Sequence, residues 1–204
     1  MIDKTQTHYR RSTMSRRTLL VASSGAAGLW ALTPRLAGAQ SLLSTTPSCT
    51  DTTEPTPRAT QGPYFSPDSP ERSNIREGRY DDQELMVGGY ILDQSCRPIP
   101  GALIEIWQAD PDGNYDTAGN HLRGHQITAA DGRWIFSTVM PGPYRPRARH
   151  IHLKVQRRNG EVLTTQMFFP GDPTHAQDRQ FDPRLVAAMV DAPYTQARMD
   201  IVLL

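Results

Sequence analysis

The sequence predicts an all-β protein: an antiparallel β-sandwich with long loops and at most one or two short helices. Three observations carry this. Short apolar runs of strand length alternate with Gly, Pro, Asn and Asp punctuation. Seventeen prolines are spread along 204 residues, which disfavours long helices. Arg158-Asn159-Gly160 joins two of the runs through an Asn-Gly pair, a strong hairpin signal.

In chain order, the first strand covers 85–92 and stops at Asp93. The second covers 102–109 and runs into the turn Asp110-Pro111-Asp112-Gly113. The third covers 133–140, before Pro141-Gly142-Pro143. Strands at 150–156 and 162–169 flank the Asn-Gly turn, and 198–204 closes the chain. One segment reads as helical, 183–190, with Asp182 as N-cap and Pro183 at the first helical position. Gly119, Asn120 and Gly124 make 119–125 a surface loop, so His121 and His125, though spaced i,i+4, do not form a zinc-binding helix. No internal repeat and no heptad pattern is present.

Composition narrows the function. Twenty-two basic against 21 acidic residues give a net charge of +1, without the basic excess of a nucleic-acid binder. A mean hydropathy of −0.54 excludes a multi-span membrane protein. Two cysteines cannot build a disulfide-dense scaffold or a four-cysteine zinc site.

The averages conceal two segments. Residues 1–39 hold six basic groups and one acid, with Arg16-Arg17 ahead of an apolar stretch and Ala37-Gly38-Ala39 after it. This is the layout of a twin-arginine export signal, and it predicts a periplasmic or secreted protein with no membrane anchor once the signal is removed. The alternative is an uncleaved anchor or a tail. Cleavage after Ala39 leaves 16 basic and 20 acidic groups, a net charge of about −4. Residues 40–60 are rich in Ser, Thr and Pro and read as an extended arm, followed by the β-sandwich domain at 61–204. Outside the cytoplasm, Cys49 in the arm and Cys96 in a turn are expected to pair. The loop of about 47 residues so closed would add roughly 3–4 kcal/mol in the chain-entropy model. Two free buried thiols are the alternative.

The chemistry centres on His150-Ile151-His152. On a strand, residues two apart share a face, so both imidazoles project together while Ile151 enters the opposite layer. That is half of a metal site, or a polar strand face. Tyr115 and Tyr144 end the turns that follow two of the strands, and either is also readable as an ordinary turn or corner tyrosine. Trp107 and Trp134 alternate with their neighbours as packing residues should. No nucleophile elbow and no phosphate loop is present, and the aspartates sit in turns.

Thr60-Gln61-Gly62-Pro63-Tyr64-Phe65, Pro100-Gly101-Ala102 through Tyr115, Asp131-Gly132 through Tyr144, Arg147 through His152 and Thr165-Gln166-Met167 stand in one order along residues 60–170. In this the chain resembles the intradiol ring-cleavage dioxygenases, which include protocatechuate 3,4-dioxygenase and catechol 1,2-dioxygenase. The resemblance implies one non-haem Fe(III) per chain, held by Tyr115, Tyr144, His150 and His152. It implies cleavage of a catechol-type ring by O2 to a cis,cis-muconate-type dicarboxylate. Tyr144 is then the ligand that substrate displaces, Arg147 stabilises negative charge on the substrate, and Gln166 supports the ligands. Gly62, Pro63 and Tyr64 line the substrate pocket. The partners implied are a catechol and O2, with a homo-oligomer left open. Arg145 or Arg149 could face inward in place of Arg147. Only five residues separate Tyr144 from His150, fewer than in protocatechuate dioxygenases. Two rival readings are a non-catalytic transthyretin-like β-sandwich binding module, and a Cu or Zn site on His150 and His152 with a third histidine.

Overall fold

A computed structural model describes residues 54–76, 80, 83–190 and 195–204. The expected export signal, the first part of the arm and Cys49 lie outside the described residues. All described residues belong to the second of the two units into which the chain divides, Ala39–Leu204.

The architecture is all-β. Nine strands occur among the described residues: β1 Leu85–Asp93, β2 Leu103–Gln108, β3 Arg123–Ile127, β4 Arg133–Thr138, β5 His150–Gln156, β6 Leu163–Phe168, β7 Ala188–Val190, β8 Gln196–Arg198 and β9 Ile201–Leu203. One sheet has the order β4-β1-β8-β7, with β9 also paired to β1, and the other has the order β3-β2-β5-β6. The second sheet is antiparallel throughout. In the first, the short strands β8 and β9 run parallel to β1 while the remaining pairs are antiparallel. The core lies between the sheets and is filled by alternate residues of each strand. Val87 and Ile91 come from β1, Trp134 and Phe136 from β4, Ile104 and Ile106 from β2, and Ile151, Leu153 and Val155 from β5.

Five of the expected strands match to within two residues at each end, and β5 matches in full. Three local expectations fail. The helix over 183–190 is a single 3-10 turn, Pro183–Leu185, followed by strand β7. Asp182 does cap it, accepting the Arg184 N–H, but pairing with β8 extends the chain after Val186 and overrides the local preference. The closing strand 198–204 is broken at Met199 and Asp200. There the Asp200 carboxylate takes the Tyr90 N–H that a partner strand would otherwise use, and the chain shifts from β8 to β9. Gly89 makes the shift possible, because a Cβ on it would stand 1.9 Å from the Met199 carbonyl oxygen. Finally, His125 is not on a loop but in β3, which pairs with β2 along its whole length.

The described part of the arm is a strap. Thr56 exchanges hydrogen bonds with Val202 of β9, Ala59 N–H donates to the Thr164 carbonyl, and the Thr165 hydroxyl donates to the Pro57 carbonyl. Cys96 is disulfide-bonded, in a turn where it adopts φ +61°. Among the described residues no helix is long and apolar enough to cross a membrane.

Phe136 has no solvent exposure and sits at the centre of this core. Phe136→Ala is expected to lower the unfolding free energy by about 3–5 kcal/mol. Ile127→Ala, at a position 53% exposed, should stay within about 0.5 kcal/mol. Urea denaturation of the two variants checks both.

Candidate metal centre

The site forms on the face of β5 that turns away from the core. His150 and His152 project there, each 3% exposed, while Ile151 packs in the core. The face is therefore dry, not the solvated strand face that polar residues alone would suggest. Register supplies its neighbours: β2 places Trp107 beside His152 and β6 places Gln166 on its other side. Trp107 stacks on the His152 ring at 4.9 Å between centroids and 4° between planes. Trp134 packs in the core as expected, whereas Trp107 packs against the site.

Two loops bring the tyrosines. Asp110 accepts the Asp112 and Asn114 N–H groups and so folds the turn that carries Tyr115. The Tyr144 loop locks into that turn, backbone against backbone, with Gly142 N–H donating to the Asp110 carbonyl. A Cβ on Gly142 would lie 2.3 Å from the Pro111 carbonyl oxygen, so only glycine permits the approach. The strap closes the site. Tyr64 stacks on Tyr115 with centroids 4.5 Å apart, and its hydroxyl lies 2.6 Å from that of Tyr144. Gly62 has φ +69°, and a Cβ on it would sit 3.3 Å from His152 Cε1. Pro63, between them, is exposed.

The short Tyr144–His150 segment turns tightly, with Arg147 N–H donating to the Tyr144 carbonyl. This decides among the three arginines: Arg147 is half-buried and turned to the site, whereas Arg145 and Arg149 are exposed. Arg147 Nη2 donates to Gln166 Oε1 at 2.6 Å, and Gln166 Nε2 donates to the Thr60 carbonyl at 3.1 Å. Arg147 Nε is held by Asp178 at 2.8 and 3.0 Å. Asp178 went unnoticed in the sequence, where it is one turn aspartate among several.

The donor set suits a metal ion. His150 Nδ1 lies 2.6 Å from the Ala148 carbonyl, so that nitrogen carries the proton and Nε2 keeps its lone pair. His150 Nε2 and His152 Nε2 are 3.1 Å apart, and Tyr115 Oη is 3.5 Å from His150 Nε2. Two imidazole nitrogens bound side by side at about 2.1 Å from one ion stand near 3 Å apart. Burial first, with Arg147 adding to it, pushes the His150 pKa down to about 4, although the bond to the Ala148 carbonyl opposes this. Burial, His150 and Arg147 push His152 well below its usual range. Both imidazoles are thus neutral and ready to coordinate. Burial raises the Tyr115 phenol above its ordinary value even though Arg147 opposes it, so a bound cation would be needed to hold it as phenolate. Among the described residues no group of three or more His, Cys, Asp or Glu is placed to hold a metal, which leaves the Cu or Zn reading without its third histidine.

The neutral histidines give a sign to the pH dependence of the metal-free protein. In the unfolded chain they titrate near 6.5, so below that pH the unfolded state binds more protons. Stability is therefore full above pH 6.5 and falls as the pH drops toward 4, by up to about 1.4 kcal/mol per pH unit for each imidazole. Denaturation of the metal-free protein across this window should show the loss, and a His150→Asn, His152→Gln variant should flatten it.

Known proteins resemble this chain in sequence and in fold. A family model described as Dioxygenase matches residues 60–199. The protocatechuate 3,4-dioxygenase beta chain of Burkholderia cepacia is 34% identical over 128 residues, 54% of this chain and 54% of that protein. Hydroxyquinol 1,2-dioxygenase of Nocardioides simplex is 28% identical over 182 residues, 70% of this chain and 62% of that protein. This chain thus spans little more than half the length of these relatives. Among solved structures, the dioxygenase domain of a dioxygenase and carbohydrate-binding fusion from Streptomyces sp. SirexAA-E has a TM-score of 0.71 at 44% identity, covering 74% of this chain and 98% of that one. The intradiol ring-cleavage dioxygenase of Tetranychus urticae has a TM-score of 0.66 at 26% identity, covering 74% and 94%. A family match over most of the described residues sets aside the transthyretin-like reading, and the chain belongs to the intradiol ring-cleavage dioxygenase family.

Proposed function

We propose that this protein is an exported Fe(III) enzyme that opens a catechol-type ring with O2 to a cis,cis-muconate-type dicarboxylate. The observation that carries the reading is the convergence of two buried neutral imidazoles, two tyrosine hydroxyls and one arginine over one face of β5. Tyr115, Tyr144, His150 and His152 would hold the iron. Ferric iron would supply the positive charge that binds a catechol through both oxygens, and the electronic route by which the ring reacts with O2.

The chain's own groups have separable tasks. His150 and His152 would contribute uncharged donors, and Tyr115 and Tyr144 as phenolates would offset most of the charge of a trivalent ion. Tyr144 would be the donor whose place a substrate oxygen could take, because its hydroxyl has a second partner in Tyr64. Arg147 provides positive charge where negative charge grows on the substrate. Gln166 keeps Arg147 and the strap in place from one amide. Trp107 covers one face of His152 and excludes water from it. The twin-arginine segment and the disulfide-bonded Cys96 support a site of action outside the cytoplasm.

Iron-loaded protein is expected to show a visible tyrosinate-to-iron charge-transfer band and to consume O2 with at least one member of a catechol panel, releasing a muconate-type diacid. Tyr144→Phe should shift the band. Arg147→Ala should keep it while lowering kcat by about 10²–10³. Colourless protein after iron loading, or no ring opening across the panel, would defeat the proposal.

A further inference from the structure

Asp178 has no place in the chemistry proposed above, yet its carboxylate accepts hydrogen bonds from three residues beside the site. Its side chain has no solvent exposure. It accepts Arg147 Nε–H at 2.8 and 3.0 Å, the Ala148 N–H at 3.0 Å and the Gln180 N–H at 2.9 Å. Burial works against its charge, but the bonds from Gln180, Arg147 and Ala148 hold the carboxyl below the usual range, so it is an anion facing the guanidinium. On the other side of that guanidinium Nη2 donates to Gln166. Nε and one Nη2 hydrogen are thus engaged, which leaves the second Nη2 hydrogen and both hydrogens of Nη1 without an acceptor among the described residues.

A long arginine side chain explores many rotamers unless it is fixed, and a guanidinium gripped through Nε can swing only as a unit. We infer that Asp178 is a positioning residue: it holds Arg147 by Nε so that the uncommitted Nη hydrogens are left to meet negative charge on a bound catecholate. The inference rests on the proposed function, since it assigns Arg147 its orientation for that chemistry. A loop staple with no such role would also use the Ala148 and Gln180 bonds, so the test must separate the two.

Exchange of the Arg147 Nε–H, followed by NMR in 15N-labelled metal-free protein, reads the contact directly. In the wild type it is expected to be at least about tenfold slower than for exposed Arg145, and Asp178→Asn should abolish the difference. An Arg147 Nε–H that exchanges as fast as that of Arg145 in the wild type overturns the inference, even if Asp178→Asn fails to fold. In iron-loaded protein, Asp178→Asn is expected to leave the resting charge-transfer band unchanged and to lower kcat by about tenfold or more, with KM within about threefold. In the Arg147→Lys background the same change should cost less than about threefold, because the two residues act as one unit. Full additivity, or an Asp178→Asn enzyme as fast as wild type, overturns it. If the iron-loaded wild type opens no catechol, the proposed function fails, and the exchange data decide whether Asp178 holds Arg147.

Discussion

The site depends on the two-residue side-chain period of β5. One face of the strand puts Ile151, Leu153 and Val155 into the core, and the other puts His150 and His152 against Trp107 and Gln166. A slip of one residue would send both imidazoles into the hydrocarbon layer and Ile151 into the site, which the core forbids. Packing energy spent on one face therefore positions the donors on the other. Antiparallel pairing on both sides of β5 makes the placement rigid as well as obligatory.

A sheet face open to solvent would leave those histidines wet and titratable. Here it is covered by the strap at residues 56–65 and by the two loops that carry Tyr115 and Tyr144. The loops interlock by backbone hydrogen bonds and by contacts too close for a side chain at Gly142. Desolvation then acts on the two donor types in opposite directions, keeping the imidazoles neutral and the Tyr115 phenol protonated. Neutral imidazole is already the coordinating form, whereas phenol coordinates once a cation takes the place of its proton.

Into this dry space the protein introduces one cation, Arg147, together with its counter-anion Asp178. The guanidinium depresses both histidines and opposes the rise at Tyr115, so it acts on three of the four donors. An unpaired guanidinium there would be costly, and the carboxylate at 2.8 Å offsets that cost while setting its orientation. The five-residue interval between Tyr144 and His150 is what turns Arg147 inward and leaves Arg145 and Arg149 in solvent.

Strands β1, β2, β4, β5 and β6 were legible because alternating apolar residues and turn chemistry are local signals. Strand β3, Arg123–Ile127, carries no such alternation and exists because β2 pairs with it. The stretch at 183–190 looked helical for the same reason in reverse: its local preference was real and β8 overruled it. At the site, the amino-acid sequence by itself determined which side chains could serve, since two histidines two residues apart on a strand must share a face. Tyr115, Tyr144, Arg147 and Gln166 were legible through the order of their motifs. Only the tertiary structure decided that this face is dry, that Arg147 is the arginine turned inward, and that Asp178, 31 residues along the chain, is its anchor. Burial and ion pairing are set by distances through space between distant segments, and no local pattern of residue types encodes them.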